Sequence, residues 1–258
     1  VKNQQNNNNT NNNNTNNQLI LYPSNWIYNA SVIGLLKVLD WINKVLDWIH
    51  NVSIIGLLKF PDWIHNVIVI KLRKVLKACK ISFNINKTVS INPSSIKSAY
   101  KGIFNYHQQK LKENFYIWGK NNRYPNYIQD PQKDFFEKYY IPSLEKISKS
   151  NTKKCSWCSG YFIPQNILDN LKGKFKGKFD KFIDQREKFQ EIHFSGLGAP
   201  ITKTPNFFWN FNYSIPICHL CSFFIIFNHL AFIKTQEGEI FINAPDFELI
   251  WDLNQFVF

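Results

Sequence analysis

Four of the five cysteines in this 258-residue chain stand in two Cys-x-x-Cys pairs, CSWC at 155–158 and CHLC at 218–221. The two-residue spacing folds the backbone so that both sulfurs of a pair reach one point. Three chemistries use such pairs: a metal site, a redox centre, and two disulfides. A fold that serves one shared centre has to bring the pairs together across the 59 residues that separate them.

Two such knuckles fill the tetrahedral shell of zinc at Zn–S distances of about 2.3 Å and leave no open position, which makes the ion structural. Gly160 supplies loose backbone after the first pair, and Lys153 and Lys154 favour thiolate by lowering the cysteine pKa. The separation exceeds the ~15–20 residues of a zinc ribbon, so the ion would clamp a whole insert. A thioredoxin-like centre needs one pair beside a βαβ pattern, and here there are two pairs and no such pattern. Disulfides call for an oxidising compartment, for which no signal is visible. The expectation is structural Zn2+ on Cys155, Cys158, Cys218 and Cys221, with Cys79 a buried thiol.

A formal net charge of +13 points to a polyanionic or membrane-surface partner. The charge is uneven: residues 95–190 carry 19 Lys and Arg against 9 Asp and Glu, while residues 191–258 are acidic. With 44% hydrophobic and 16% aromatic residues, most of the chain is built to pack. The absence of Met, the start at Val1 and the end inside an apolar stretch read as a fragment.

Residues 2–18, KNQQNNNNTNNNNTNNQ, have nothing to bury and read as a disordered tail, with a prion-like segment the alternative on composition. NASVIGLLK at 29–37 recurs as NVSIIGLLK at 51–59, and KVLDWIN at 37–43 is followed at once by KVLDWIH at 44–50. Only two copies are present, so a local duplication fits better than a solenoid. The heptad step predicts a largely buried helix whose narrow polar stripe holds Lys37, Asp40, Asn43 or Lys44, Asp47 and His50, with Asp40 and Lys44 paired. Pro61 breaks the second copy or starts a new helix at about residue 61.

Helices are expected again over 94–150, with a serine cap at SSIKSAY and turns at Pro125, Pro131 and Pro142. Leu168, Leu171, Phe175, Phe179 and Phe182 recur at helical spacing in a helix weakened by Gly173 and Gly177. The phenylalanines read as core, with a base-stacking platform the alternative. Candidate phosphate contacts are Lys153, Lys154, Lys172, Lys174, Lys176, Lys178 and Lys181, against a plain solvated face. Residues 204–233 hold no charged side chain but too many polar ones to face lipid, and read as a buried segment. No phosphate loop, nucleophile elbow or HExxH is present, and the six histidines show no metal-ligand spacing.

These elements predict a mainly α fold with a few short strands (α+β): a helical domain with an inserted four-cysteine zinc module. The divisions are a tail at 1–19, a basic helical region at 20–150, the zinc module with its helical insert at 151–225, and the start of a further region at 226–258.

The chain resembles the double-CXXC branch of the large subunit of type I-B CRISPR-Cas interference (Cascade) complexes. The resemblance is carried by CSWC at 155–158, by PNFFWNFNYSIPICHLC at 205–221 running into SFFIIFNHLAFI, by IFINAPDFELI at 240–250, and by YPSNWIYNASVIGLLKVL at 22–39. It spans residues 20–258 and implies a non-catalytic, cytoplasmic subunit of a crRNA-guided complex. Such a subunit binds target double-stranded DNA, helps recognise the motif beside the target and receives the helicase-nuclease, with no membrane and no small-molecule substrate. The resemblance places the four cysteines as zinc ligands and assigns no motif-reading residue. Guide pairing reads the sequence in such complexes, so the protein needs mainly backbone contacts. A stand-alone zinc-dependent nucleic-acid-binding protein and a thiol-disulfide oxidoreductase are the rival classes.

Overall fold

LIL at 19–21 alternates apolar residues toward a core. In the computed structural model it forms strand β1 (Leu19–Leu21), with Leu19 and Leu21 buried and Ile20 outward. The structure describes residues 18–54, 79, 81–84, 88–112, 134–175, 178–190 and 214–255. Several expectations lie outside them: the tail over 2–17, the repeat from residue 55, the turns at Pro61, Pro125 and Pro131, and Lys176 and Gly177.

The main helix, α1 (Trp26–Ile54), starts where Asn25 Oδ1 accepts the Tyr28 amide at 3.0 Å, a side-chain cap on one of the free N-terminal donors. Its first half is buried on nearly all sides, from Ile27 to Leu39. The duplicated heptad gives the expected Asp40–Lys44 ion pair at 2.8 Å. It does not stay buried, however: Trp48 is 65% exposed. The crossing helix covers α1 at Val38 and Ile42, one to three turns before Trp48.

Strands β2 (Ser82–Phe83) and β3 (Val89–Ile91) follow, and β3 is the centre of an antiparallel sheet ordered β1-β3-β2, with Leu21 opposite Val89 and Ser82 opposite Ser90. Helix α2 (Ser95–Tyr106) runs on into a π turn at His107–Leu111. The expected serine cap is absent at its start, because Ser94 makes no capping bond; instead Asn92 Oδ1 accepts from the Ser94 amide and hydroxyl at 3.0 and 2.8 Å. A π-helical turn Phe135–Tyr140 leads into α3 (Ile141–Leu144), with Pro142 in its first turn rather than at a chain reversal.

Then come β4 (Ser148–Lys149) and β5 (Tyr161–Phe162), paired around the first cysteine pair; α4 (Gln165–Lys174) and α5 (Phe179–Arg186); and β6 (Lys188–Gln190) paired with β7 (Ser214–Pro216). The phenylalanine stripe expected on one helix is split, because α4 ends at Lys174 and Phe175 is extended. Its side chains still meet as core, with the Phe135 ring 5.3–5.6 Å from those of Phe175, Phe179 and Phe182. Helix α6 (His219–Phe224) carries the second pair and passes into a 3-10 segment at Ile225–Leu230. A hairpin of β8 (Ile233–Lys234) and β9 (Glu239–Ile240) precedes α7 (Phe247–Leu253).

The architecture is mainly α with short strands, and one apolar core joins α1, α2, the Phe135 cluster, α6 and α7. Its closest approach is at Gly34, where an added Cβ would lie 1.8 Å from the Phe227 carbonyl oxygen, so only glycine lets α1 meet the 225–230 segment there. Asn228 Nδ2 donates to the Ile27 carbonyl at 3.1 Å across the same contact. Of the stretch 204–233 expected to be buried, residues 217–228 are, Ser214 and Ile215 are only half-buried, Pro216 is exposed, and 204–213 lie outside the described residues; among the described residues no helix is long and apolar enough to cross a membrane.

Candidate metal centre

CSWCSG makes a knuckle because backbone amides turn in toward the sulfurs. Trp157 N–H donates to Cys155 Sγ at 3.4 Å and Gly160 N–H to Cys158 Sγ at 3.3 Å. Gly160 has φ +86°, a conformation that favours glycine, which accounts for a glycine after the pair. In the second pair Cys218 takes the place of a helix cap: its Sγ accepts the Cys221 amide at 3.4 Å at the start of α6. The Cys218 amide in turn donates to Cys155 Sγ at 3.2 Å, stitching the two pairs together.

The β6–β7 ladder closes the distance in sequence. Lys188 pairs with Pro216, the Ile217 amide donates to the Glu187 carbonyl at 3.0 Å, and the Ser156 amide donates to the Pro216 carbonyl at 2.9 Å. Trp157 packs on Phe189 at 4.7 Å between centroids. The insert thus folds back, and the second pair lands on the first.

The four sulfurs lie within 4.8 Å of one another, with Cys158–Cys221 at 3.3 Å, Cys158–Cys218 at 3.4 Å and Cys155–Cys221 at 3.7 Å. A tetrahedron of thiolates about 2.3 Å from a central ion has edges of about 3.8 Å. All five cysteines are free thiols. The cluster therefore fits one metal ion with four sulfur ligands and no further protein donor. Its electrostatics ask for a cation: burial pushes the Cys218 and Cys221 thiols well up, while hydrogen bonds from Cys158, Cys218 and Cys221 hold Cys155 down. A divalent ion reverses the first effect by stabilising the thiolates outright.

The surroundings hold residues that sequence reasoning passed over. His219, between the paired cysteines, is buried; its Nδ1 accepts the Ile163 amide at 3.0 Å and Nε2 lies 3.4 Å from Glu187 Oε1. Burial, and then the Lys153 ammonium, lower its pKa to about 3, so it is a neutral strut carrying its proton on Nε2. Tyr140 donates to the His219 carbonyl at 2.8 Å. Arg186 is buried with its guanidinium 5.1 Å over Phe136, held against the ring face. The only signal available in sequence was the position of His219 inside CHLC.

Among the lysines singled out for phosphate, Lys153, Lys154, Lys172, Lys174, Lys178 and Lys181 are all exposed, and of these Lys153 binds Glu187 at 2.7 Å and Lys172 binds Asp180 at 2.7 Å. Lys176 lies outside the described residues. Cys79 is buried, its thiol pushed up to about 11 by desolvation, in keeping with an inert core thiol.

No curated protein and no solved structure matches the chain. Residues 176–233, a stretch that includes Cys218 and Cys221, are similar to the family model described as CRISPR-associated protein (Cas_CXXC_CXXC), which supports a CRISPR-associated double-CXXC family.

Proposed function

We propose that the chain is the non-catalytic large subunit of a crRNA-guided type I-B CRISPR complex, working in the cytoplasm with a structural zinc ion on Cys155, Cys158, Cys218 and Cys221. The observation that carries this reading is a coincidence of place: the family likeness over 176–233 falls on the segment that folds back to complete the four-sulfur cluster. A closed set of four sulfurs suits a clamp, since every coordination position is taken by protein. The oxidoreductase alternative is disfavoured because two of the four sulfurs are fully buried and all four share one centre.

In this role guide RNA reads the target, and the subunit contributes backbone contacts, recognition of the motif beside the target and a seat for the helicase-nuclease. The net charge of +13 and the exposed Lys154, Lys174, Lys178 and Lys181 suit contact with phosphate. Reconstitution of the tagged chain with guide-loaded subunits tests the reading. Co-purification, and duplex binding that requires both the chain and the adjacent motif, is the expected result. A chain that fails to join the complex yet binds duplex by itself with the same affinity is a stand-alone binder, and the proposal falls.

A further inference from the structure

The heptad duplication in α1 plays no part in the metal centre. KVLDWIN and KVLDWIH place Lys37 and Lys44, and likewise Trp41 and Trp48, seven residues apart. Seven residues are about 10 Å along a helix at 1.5 Å per residue, and two full turns return each pair to one face. That face lines an open groove of about 650 Å³, whose other walls include Tyr106 at the end of α2, Lys110 in the π turn after it and Trp251 from α7.

Two of the three tryptophans are braced by a neighbouring ring, and the third is open to solvent. Trp41 meets Tyr106 edge-on at 5.9 Å, Trp251 leans on Phe83 at 6.2 Å, and Trp48 stands 65% exposed. The charge balance of the groove is cationic. Lys37, Lys44 and Lys110 face it together with Asp40, and that carboxylate is already bound to Lys44. Lys37 is half-buried with its Nζ donating to the Ala231 carbonyl at 3.4 Å, and burial lowers its pKa to about 8, which leaves it protonated at neutral pH.

We propose that this groove binds a short stretch of single-stranded nucleic acid, with Trp41 and Trp48 offering faces to bases and Lys37, Lys44 and Lys110 meeting phosphates. Two near-identical Lys–Trp sets suit a ligand that itself repeats a flat ring and an anion. At 3.4 Å per stacked nucleotide, the spacing of the sets corresponds to about three nucleotides. An acidic peptide would match the lysines but would leave the indole faces without flat partners. The site is separate from the cysteine cluster and goes beyond the role proposed above.

The test is fluorescence anisotropy on the full-length, metal-replete chain with three labelled probes: a 12-nucleotide oligo-dT, a 12-base-pair duplex and a glutamate-rich peptide. Trp48→Ala should weaken oligo-dT binding roughly 5- to 150-fold, the range for loss of one stacked base, and Trp48→Phe should recover most of it. Lys44→Ala and Lys110→Ala should each lower the salt slope by about 0.7. Circular dichroism checks that each variant is folded. Oligo-dT affinity unchanged in Trp48→Ala overturns the proposal. So does peptide binding that exceeds oligo-dT binding and is lost in Trp48→Ala, which would make the groove a protein-docking site. The guided complex separates the two claims: an intact complex whose chain shows no Trp48-dependent oligo-dT binding sinks the groove alone.

Discussion

Gly34→Ala and Gly173→Ala are one chemical change with opposite expected signs. Both residues are helical, so each substitution relieves about 0.5–1 kcal/mol of backbone cost. At Gly173 the new Cβ meets nothing within 4 Å, and that gain should appear whole as stabilisation. At Gly34 the new Cβ would lie 1.8 Å from the Phe227 carbonyl oxygen and 2.7 Å from its carbon, where ordinary contact begins at 3.4 Å. Helix α1 and the 225–230 segment would have to part by about 1.6 Å, the difference between 3.4 and 1.8. Leu35, Leu36, Ile226 and Phe227 are all at 0% exposure around this contact, so the parting loosens a filled core. Overpacking costs about 1–3 kcal/mol, and an obstacle that is backbone places this site at the upper end of that range, so that after the helix gain the net effect is a loss of ~2 kcal/mol. Urea unfolding of the metal-loaded chain, followed by far-UV circular dichroism, reads both values from the midpoint shifts. A Gly34→Ala chain as stable as the parent would mean that α1 does not touch Phe227, and the packing described would be wrong.

Two further outcomes follow from the charges. Lys37 has its pKa lowered from 10.5 to about 8 by burial, so between those values the unfolded chain binds more protons than the folded one. Its destabilising effect is full below pH 8 and is relieved as pH rises toward 10.5; Lys37→Met should therefore stabilise at pH 7 and flatten that part of the stability profile, measured by unfolding at pH 7 and pH 10. Replacing the exposed Lys174, Lys178 and Lys181 by Ala should reduce the salt slope of duplex binding by about 0.9 for each phosphate no longer neutralised while leaving the thermal transition nearly unchanged, and an unaltered slope would make them a solvated face.

How much could be read from the sequence depends on the range of the interaction. The knuckles were legible because their spacing is local, and Gly160 was legible because a turn there needs a positive φ. That the knuckles meet was only an expectation, since it depends on Lys188–Gln190 finding Ser214–Pro216. Periodicity identified the α1 helix and its Asp40–Lys44 pair but overstated its burial, because it gives the face and not the length over which neighbours cover it. The phenylalanines of 175–182 were assigned to the core from their stripe; the helix carrying them breaks at Phe175, yet they converge on Phe135, 40 residues upstream of that break. No local pattern announces the contact of His107 with His229, whose Nε2 atoms lie 2.6 Å apart across 122 residues of sequence.

On the proposed reading Cys155, Cys158, Cys218 and Cys221 hold one ion that makes the insert fold back. Elemental analysis joined to X-ray absorption at the zinc edge, on the purified reduced chain, tests it most directly. The expected result is one zinc per chain with four sulfur neighbours at about 2.3 Å. A chain free of metal, or a zinc shell containing nitrogen or oxygen in place of one of these sulfurs, would contradict it.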